Sequence, residues 1–135
     1  MTERATTAGD EDLVRIAALA RQRAYAPHSN YKVGAALRTA RGKVTSGANV
    51  ENASYGLTIC AERAALFAAV NAGDKGFDAI AIVAGDLPVP CGACLQVLSE
   101  FCSDDLRIVL ASADGQREVA RLGALLPRPF RLKPG

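Results

Sequence analysis

Cys60-Ala61-Glu62-Arg63 and Pro90-Cys91-Gly92-Ala93-Cys94 are the two segments on which the reading of this chain turns. Each stands where a helix is expected to begin. One helix fits Ile59 to about Asn71, closed by Gly73, and another runs from Pro90 or Cys91 to about Cys102. Each follows a strand and a loop, so two helices starting side by side on one sheet edge can aim three thiolates at a single point. Zinc is a borderline-soft ion that takes thiolates in a tetrahedron, and three protein ligands leave a fourth position for water. Helix N-termini favour the thiolate forms of Cys60 and Cys91. Three thiolates on one divalent ion leave the site net negative, and Arg63, directly after Glu62, is the candidate donor to a ligand sulfur.

Taken singly, the features have plainer readings. A C-x-x-C pair occurs in zinc ribbons and redox proteins, and Glu62 alone fits a first-turn residue favoured by the helix dipole. The combination is more specific. A ligand-x-Glu segment followed downstream by P-C-x-x-C is the zinc-deaminase pattern, in which the Glu is not a ligand. Zinc lowers the pKa of a bound water from about 15.7 toward neutrality, and Glu62 would carry a proton from that water to the ring nitrogen and later to ammonia. Cys102 is excluded from the same ion. It lies eight residues from Cys94 on one expected helix, about 12 Å along the axis, whereas zinc–sulfur bonds are about 2.3 Å. It is expected to be a buried cysteine.

Outward from these segments, the chain reads as one domain of 135 residues, with no repeat, linker or low-complexity stretch. A first helix carries Leu13, Ile16, Ala17, Leu19, Ala20 and Ala24 at helical spacing, with Asp10 as its N-cap. Lys32–Thr39 and Val44–Asn49 form a hairpin. Phe77–Ala84, Leu106–Ala111 and Arg117–Ala120 are further strands, and Leu122–Leu126 makes a final helical turn. The expected architecture is α/β, a three-layer fold with a central mixed sheet of about five strands and helices on both faces. The polar start, residues 1–9, is expected to be disordered.

Half the residues are apolar but only 5% aromatic, so the core is built from Ala, Val, Leu and Ile. The net charge of +2 is too mild to indicate nucleic acid, and Arg128, Arg131 and Lys133 read as a solvated tail. No apolar run approaches the roughly 20 residues that span a bilayer. The polar, acidic N-terminus lacks a signal-peptide core, so the expected location is the cytoplasm, where thiols stay reduced and cysteines read as ligands.

Four features extend over almost the whole chain: Tyr25-Ala26-Pro27-His28-Ser29-Asn30-Tyr31-Lys32-Val33-Gly34-Ala35-Ala36-Leu37, Asn49-Val50-Glu51-Asn52-Ala53-Ser54-Tyr55-Gly56, the two cysteine motifs, and Leu125-Leu126-Pro127 followed by Phe130. Together they resemble the small homotetrameric cytidine deaminase family. The resemblance implies one zinc per subunit on Cys60, Cys91 and Cys94, and hydrolysis of cytidine and deoxycytidine to uridine and deoxyuridine plus ammonia, with Glu62 as proton shuttle. It implies that Asn49 and Glu51 hold the ribose hydroxyls, that Tyr31 lies against the nucleoside, and that the backbone around Ala61 contacts the pyrimidine. It also implies a tetramer whose active sites borrow Ala53, Tyr55 and Phe130 from neighbours. Read without the family, Asn49 is a strand end, Glu51 a solvated loop residue and Phe130 a side chain packed on its own subunit.

Three positions depart from the family. His28, the chain's single histidine, stands where an aromatic is frequent and reads as a surface residue. Ala48 replaces a frequent Cys that is not a ligand. Leu95 replaces an Arg after the last ligand, placing more of the charge compensation on Arg63. The competing readings are a deaminase of a modified nucleoside such as blasticidin S, a non-catalytic zinc module for assembly, and a dithiol redox role for Cys91 and Cys94. The sugar motif argues against a free base as substrate. Editing of nucleic acid lacks a basic groove with interleaved aromatics.

Overall fold

The computed structural model describes residues 2–3 and 5–133. Its strands are β1 (Thr2–Glu3), β2 (Gly34–Thr39), β3 (Val44–Ala48), β4 (Phe77–Ala84), β5 (Arg107–Ser112) and β6 (Arg117–Arg121). Its helices are α1 (Ala8–Arg21), α2 (Ala61–Asn71), α3 (Gly92–Phe101) and α4 (Leu122–Leu125). The strands form one mixed sheet in the order β1-β6-β5-β4-β2-β3, with β4 and β5 parallel and the other pairs antiparallel. Five strands carry the sheet as expected, and the two-residue β1 adds an edge.

Side-chain alternation divides the core into two layers, because successive strand residues point to opposite faces. Ala36, Ala79, Ala81, Val83, Val109, Ala111 and Val119 face α1, meeting Leu13, Val14 and Ala17. Leu37, Ile80, Ile82, Ile108 and Leu110 face the opposite way, onto Leu66 of α2 and Leu95 and Leu98 of α3. β4 therefore reads as an unbroken apolar run: it is covered on both sides.

Two glycines set how closely the helices approach. A Cβ on Gly34 would stand 2.0 Å from the Ala17 carbonyl oxygen of α1, and one on Gly47 would stand 2.5 Å from the Ala65 nitrogen of α2. Only residues without a side chain allow the backbones this near. The contact at Gly47 seats α2 directly on β3, which fixes where α2 begins.

One expectation at the N-terminus needs correction. Thr2 and Glu3 pair with Ala120 and Val119, and α1 starts at Ala8. Met1 and Arg4 lie outside the described residues. The N-cap of α1 is Thr7, with Asp10 at the third helical position completing a capping box. Asp10 is instead buried against Arg107 of β5, at 2.9 and 2.6 Å. This pair anchors the start of α1 to the sheet.

Candidate active site

The direction of the strands gathers the site. β3 and β4 are both antiparallel to β2, which lies between them, so their C-terminal ends share one edge of the sheet. The chain leaves β3 at Ala48 and enters α2 after Cys60; it leaves β4 at Ala84 and enters α3 after Cys91. The N-termini of α2 and α3 consequently lie together outside the carboxyl ends of the strands, where open α/β sheets place their ligands.

Cys60 and Cys91 are the N-cap residues of α2 and α3, both in extended conformation. Cys94 sits one turn inside α3 and is fully buried. The three sulfurs lie within 4.8 Å of one another, with Cys91 and Cys94 at 3.4 Å. Sulfurs about 2.3 Å from one tetrahedral ion are about 3.8 Å apart, so the cluster fits a single zinc with a small adjustment. Cys102 belongs to the apolar core instead, and burial pushes its thiol up to about 12.

The electrostatics divide the thiols. The Cys94 thiol donates toward Cys60 and the Arg63 guanidinium donates to the Cys60 sulfur at 3.3 Å, and together they outweigh burial to lower Cys60 to about 5. Cys94 moves the other way, because its proton is held by Cys60 and its surroundings are apolar. Of the two, Cys60 is the sulfur that its surroundings favour as a thiolate. Glu62 is buried, and burial, reinforced by the Cys60 thiolate, raises its carboxyl above the ordinary range.

A cavity of about 210 Å³ opens onto this cluster. Cys60, Ala61, Glu62 and Cys91 form its floor, Asn49, Thr58 and Tyr31 line it, and Val33, Ile82, Pro88 and Val89 supply apolar walls. Asn49 is held rigidly, its Oδ1 accepting from the Val33 amide at 2.9 Å and its Nδ2 donating to the Tyr31 carbonyl at 2.8 Å.

Other expected residues lie elsewhere. Glu51 is buried but does not line the cavity. Its Oε1 accepts from the amides of His28 and Ser29 at 2.9 and 3.2 Å, and its Oε2 accepts from the Ser29 hydroxyl. Ala53, Tyr55 and Phe130 are exposed on this chain. The first two ride on a loop closed by the Val50–Ile59 bridge, and the Tyr55 ring meets the edge of exposed His28 at 5.9 Å between centroids.

Several contributors were not visible in the sequence. Gln96 of α3 clamps the Phe130 backbone, donating to its carbonyl at 2.7 Å and accepting from its amide at 3.2 Å. The Tyr31 hydroxyl donates to Asp86 at 2.8 Å. Both join residues far apart in the chain. The Pro88-Val89-Pro90 run was the one local signal, a stiffened apolar loop leading into a ligand.

The chain matches the cytidine and deoxycytidylate deaminase zinc-binding region over residues 7–110. It is 48% identical over 120 residues to a cytidine deaminase of Halalkalibacterium halodurans, covering 87% of this chain and 91% of that protein. It superposes with a TM-score of 0.87 on the crystal structure of cytidine deaminase from Burkholderia pseudomallei, at 50% identity over 93% of this chain and all of the other. A blasticidin-S deaminase of Bacillus cereus is a more distant relative, 30% identical over 76% of this chain and 79% of its own length.

Proposed function

The chain belongs to the family of zinc-binding cytidine and deoxycytidylate deaminases, and we propose that it hydrolyses cytidine and deoxycytidine to uridine and deoxyuridine, releasing ammonia. The observation that carries this reading is a buried Glu62 that lines one cavity together with Cys60 and Cys91, whose sulfurs converge with that of buried Cys94.

Cys60, Cys91 and Cys94 would hold one zinc per subunit, which supplies a Lewis acid that activates water at neutral pH. Glu62 takes a proton from the attacking water and delivers it to the ring nitrogen, then to the departing ammonia. Its raised pKa suits a group that must both accept and donate. Arg63 offsets part of the thiolate charge through its contact with Cys60. The Ala61 amide, at the first position of α2 where N–H groups lack helical partners, is free to donate to the pyrimidine. The Tyr31 ring forms a wall against the nucleoside, and Asn49 and Glu51 hold the ribose hydroxyls. A carboxylate has about four acceptor sites, so Glu51 retains capacity beyond its three bonds to the 28–29 turn.

The assembled enzyme is a homotetramer in which Ala53, Tyr55 and Phe130 complete neighbouring sites. This is supported by their exposure, by the Gln96 clamp that presents Phe130, and by a single-chain cavity smaller than the roughly 300–1,000 Å³ usual for ligand pockets. Three free thiols gathered for a metal also suit a reducing compartment such as the cytoplasm.

Ultraviolet absorbance on cytidine, deoxycytidine, cytosine and blasticidin S tests the substrate. Turnover of the two nucleosides with none on cytosine is expected, whereas turnover of blasticidin S alone would replace the assignment with that of the more distant relative. Phe130→Ala should weaken nucleoside affinity, and an unchanged KM in a stable tetramer would remove its role in the neighbouring site.

A further inference from the structure

We propose that Asp86 is a positioning residue for the substrate: it accepts the Tyr31 hydroxyl, holds the ring as a wall of the cavity, and ties that wall to the loop entering Cys91. The inference rests on the deaminase reading above. The base of Tyr31 is fixed by its backbone, since its amide donates to the Ser29 hydroxyl at 3.0 Å and its carbonyl accepts from Asn49 at 2.8 Å. Asn30, just before it, takes the left-handed conformation with φ of 57°, which turns the chain sharply into this position. The tip of the ring is fixed by Asp86 at 2.8 Å. Tyr31 is 44% exposed, so a ring without that anchor has solvent on one side and staggered alternatives open to it.

Asp86 stands at the start of the segment Asp86-Leu87-Pro88-Val89-Pro90-Cys91, of which Pro88, Val89 and Cys91 line the same cavity. One hydrogen bond therefore spans residues 55 apart in sequence and joins two walls of the pocket. Burial and the Asp86 contact push the phenol up to about 12, so it remains a donor throughout the working range.

The test is a double-mutant cycle on the zinc-loaded enzyme with Asp86→Ala, Tyr31→Phe and the pair, plus Asp86→Asn as the conservative variant. Asp86→Ala should raise KM for cytidine about five- to tenfold, the worth of one charge-assisted hydrogen bond at a half-exposed site. kcat should stay within about twofold and zinc content should not change. Tyr31→Phe, which preserves the ring and the packing, should have a similar effect, and the double variant should be no worse than either single one. Asp86→Asn keeps an acceptor oxygen and should recover most of the affinity. Unchanged KM in Tyr31→Phe and Asp86→Ala, additive losses in the pair, or an Asn variant no better than Ala would each overturn the assignment. A wild-type enzyme inactive on cytidine would overturn the deaminase reading and this inference together, whereas an active wild type with an unchanged variant KM removes only the role of Asp86.

Discussion

Helices α1, α2 and α3 each begin with an interacting pair at the N-cap and third helical positions, and the chain fills that slot in two different ways. In α1 the pair is Thr7 and Asp10: the Thr7 hydroxyl accepts the Asp10 amide at 3.1 Å, and the Asp10 carboxylate accepts the Thr7 amide at 2.9 Å. In α2 it is Cys60 and Arg63, a guanidinium folded back on a sulfur, and in α3 it is Cys91 and Cys94. Cys60 caps nothing with its side chain, and Cys91 accepts the Cys94 amide at 3.5 Å through sulfur, a weaker acceptor than oxygen. The face of the sheet that carries α1 thus uses its helix start for stability. The face that carries α2 and α3 gives up good caps to bring three cysteine sulfurs and a buried carboxylate to one point.

Removing chemistry from the second face without touching its fold should produce the largest effect. Glu62→Gln is expected to lower kcat by about 10³-fold while retaining zinc, read by steady-state kinetics and metal analysis on the same sample. A near-normal rate would break the contrast between the two faces, because Glu62 would then be an ordinary first-turn residue.

The first face should answer in stability instead. Asp10→Ala removes one partner of the pair with Arg107 and half of the capping box, and is expected to cost about 3 kcal/mol in denaturant unfolding. The site should keep its turnover per folded, zinc-loaded chain. The same pair gives a pH dependence. Burial alone would raise the Asp10 carboxyl, but Arg107 and the Thr7 amide outweigh it and lower it below the ordinary value. A carboxyl depressed in the folded state stabilises fully above its unfolded pKa, near 4, and the contribution fades as pH falls through the lower folded value. Asp10→Asn should therefore flatten the acid limb of the stability curve.

A finer test exchanges the two solutions at one position. Cys91→Ser and Cys91→Ala should both lose zinc, but serine is a good N-cap and alanine a poor one. With metal removed by chelation, the Ser variant is expected to be about 1 kcal/mol more stable than the Ala variant. Equal stability would mean that the N-cap of α3 had no capping role to give up.

The same contrast explains what the sequence made legible. β4 could be read residue for residue from Phe77 to Ala84 because burial on both faces demands a continuous apolar run. The cysteine motifs were legible because each is local and must stand at a helix start. Thr7 and Asp10 are both cap-forming types, so the local sequence does not distinguish the N-cap Thr7 from Asp10, which sits inside the first turn and pairs with Arg107 across the sheet. The pairing of Thr2 and Glu3 with Ala120 and Val119 leaves no trace in the first residues themselves. Likewise the engagement of Glu51 by the 28–29 turn, the Gln96 clamp and the Tyr31–Asp86 bond arise between segments that meet only in the folded chain.

The most direct measurement is a zinc titration of metal-stripped protein, with cytidine turnover and bound zinc followed on the same sample. The account predicts that activity rises in proportion to bound zinc and stops at one ion per chain. Full occupancy of the three cysteines without turnover, or turnover independent of zinc, would contradict it.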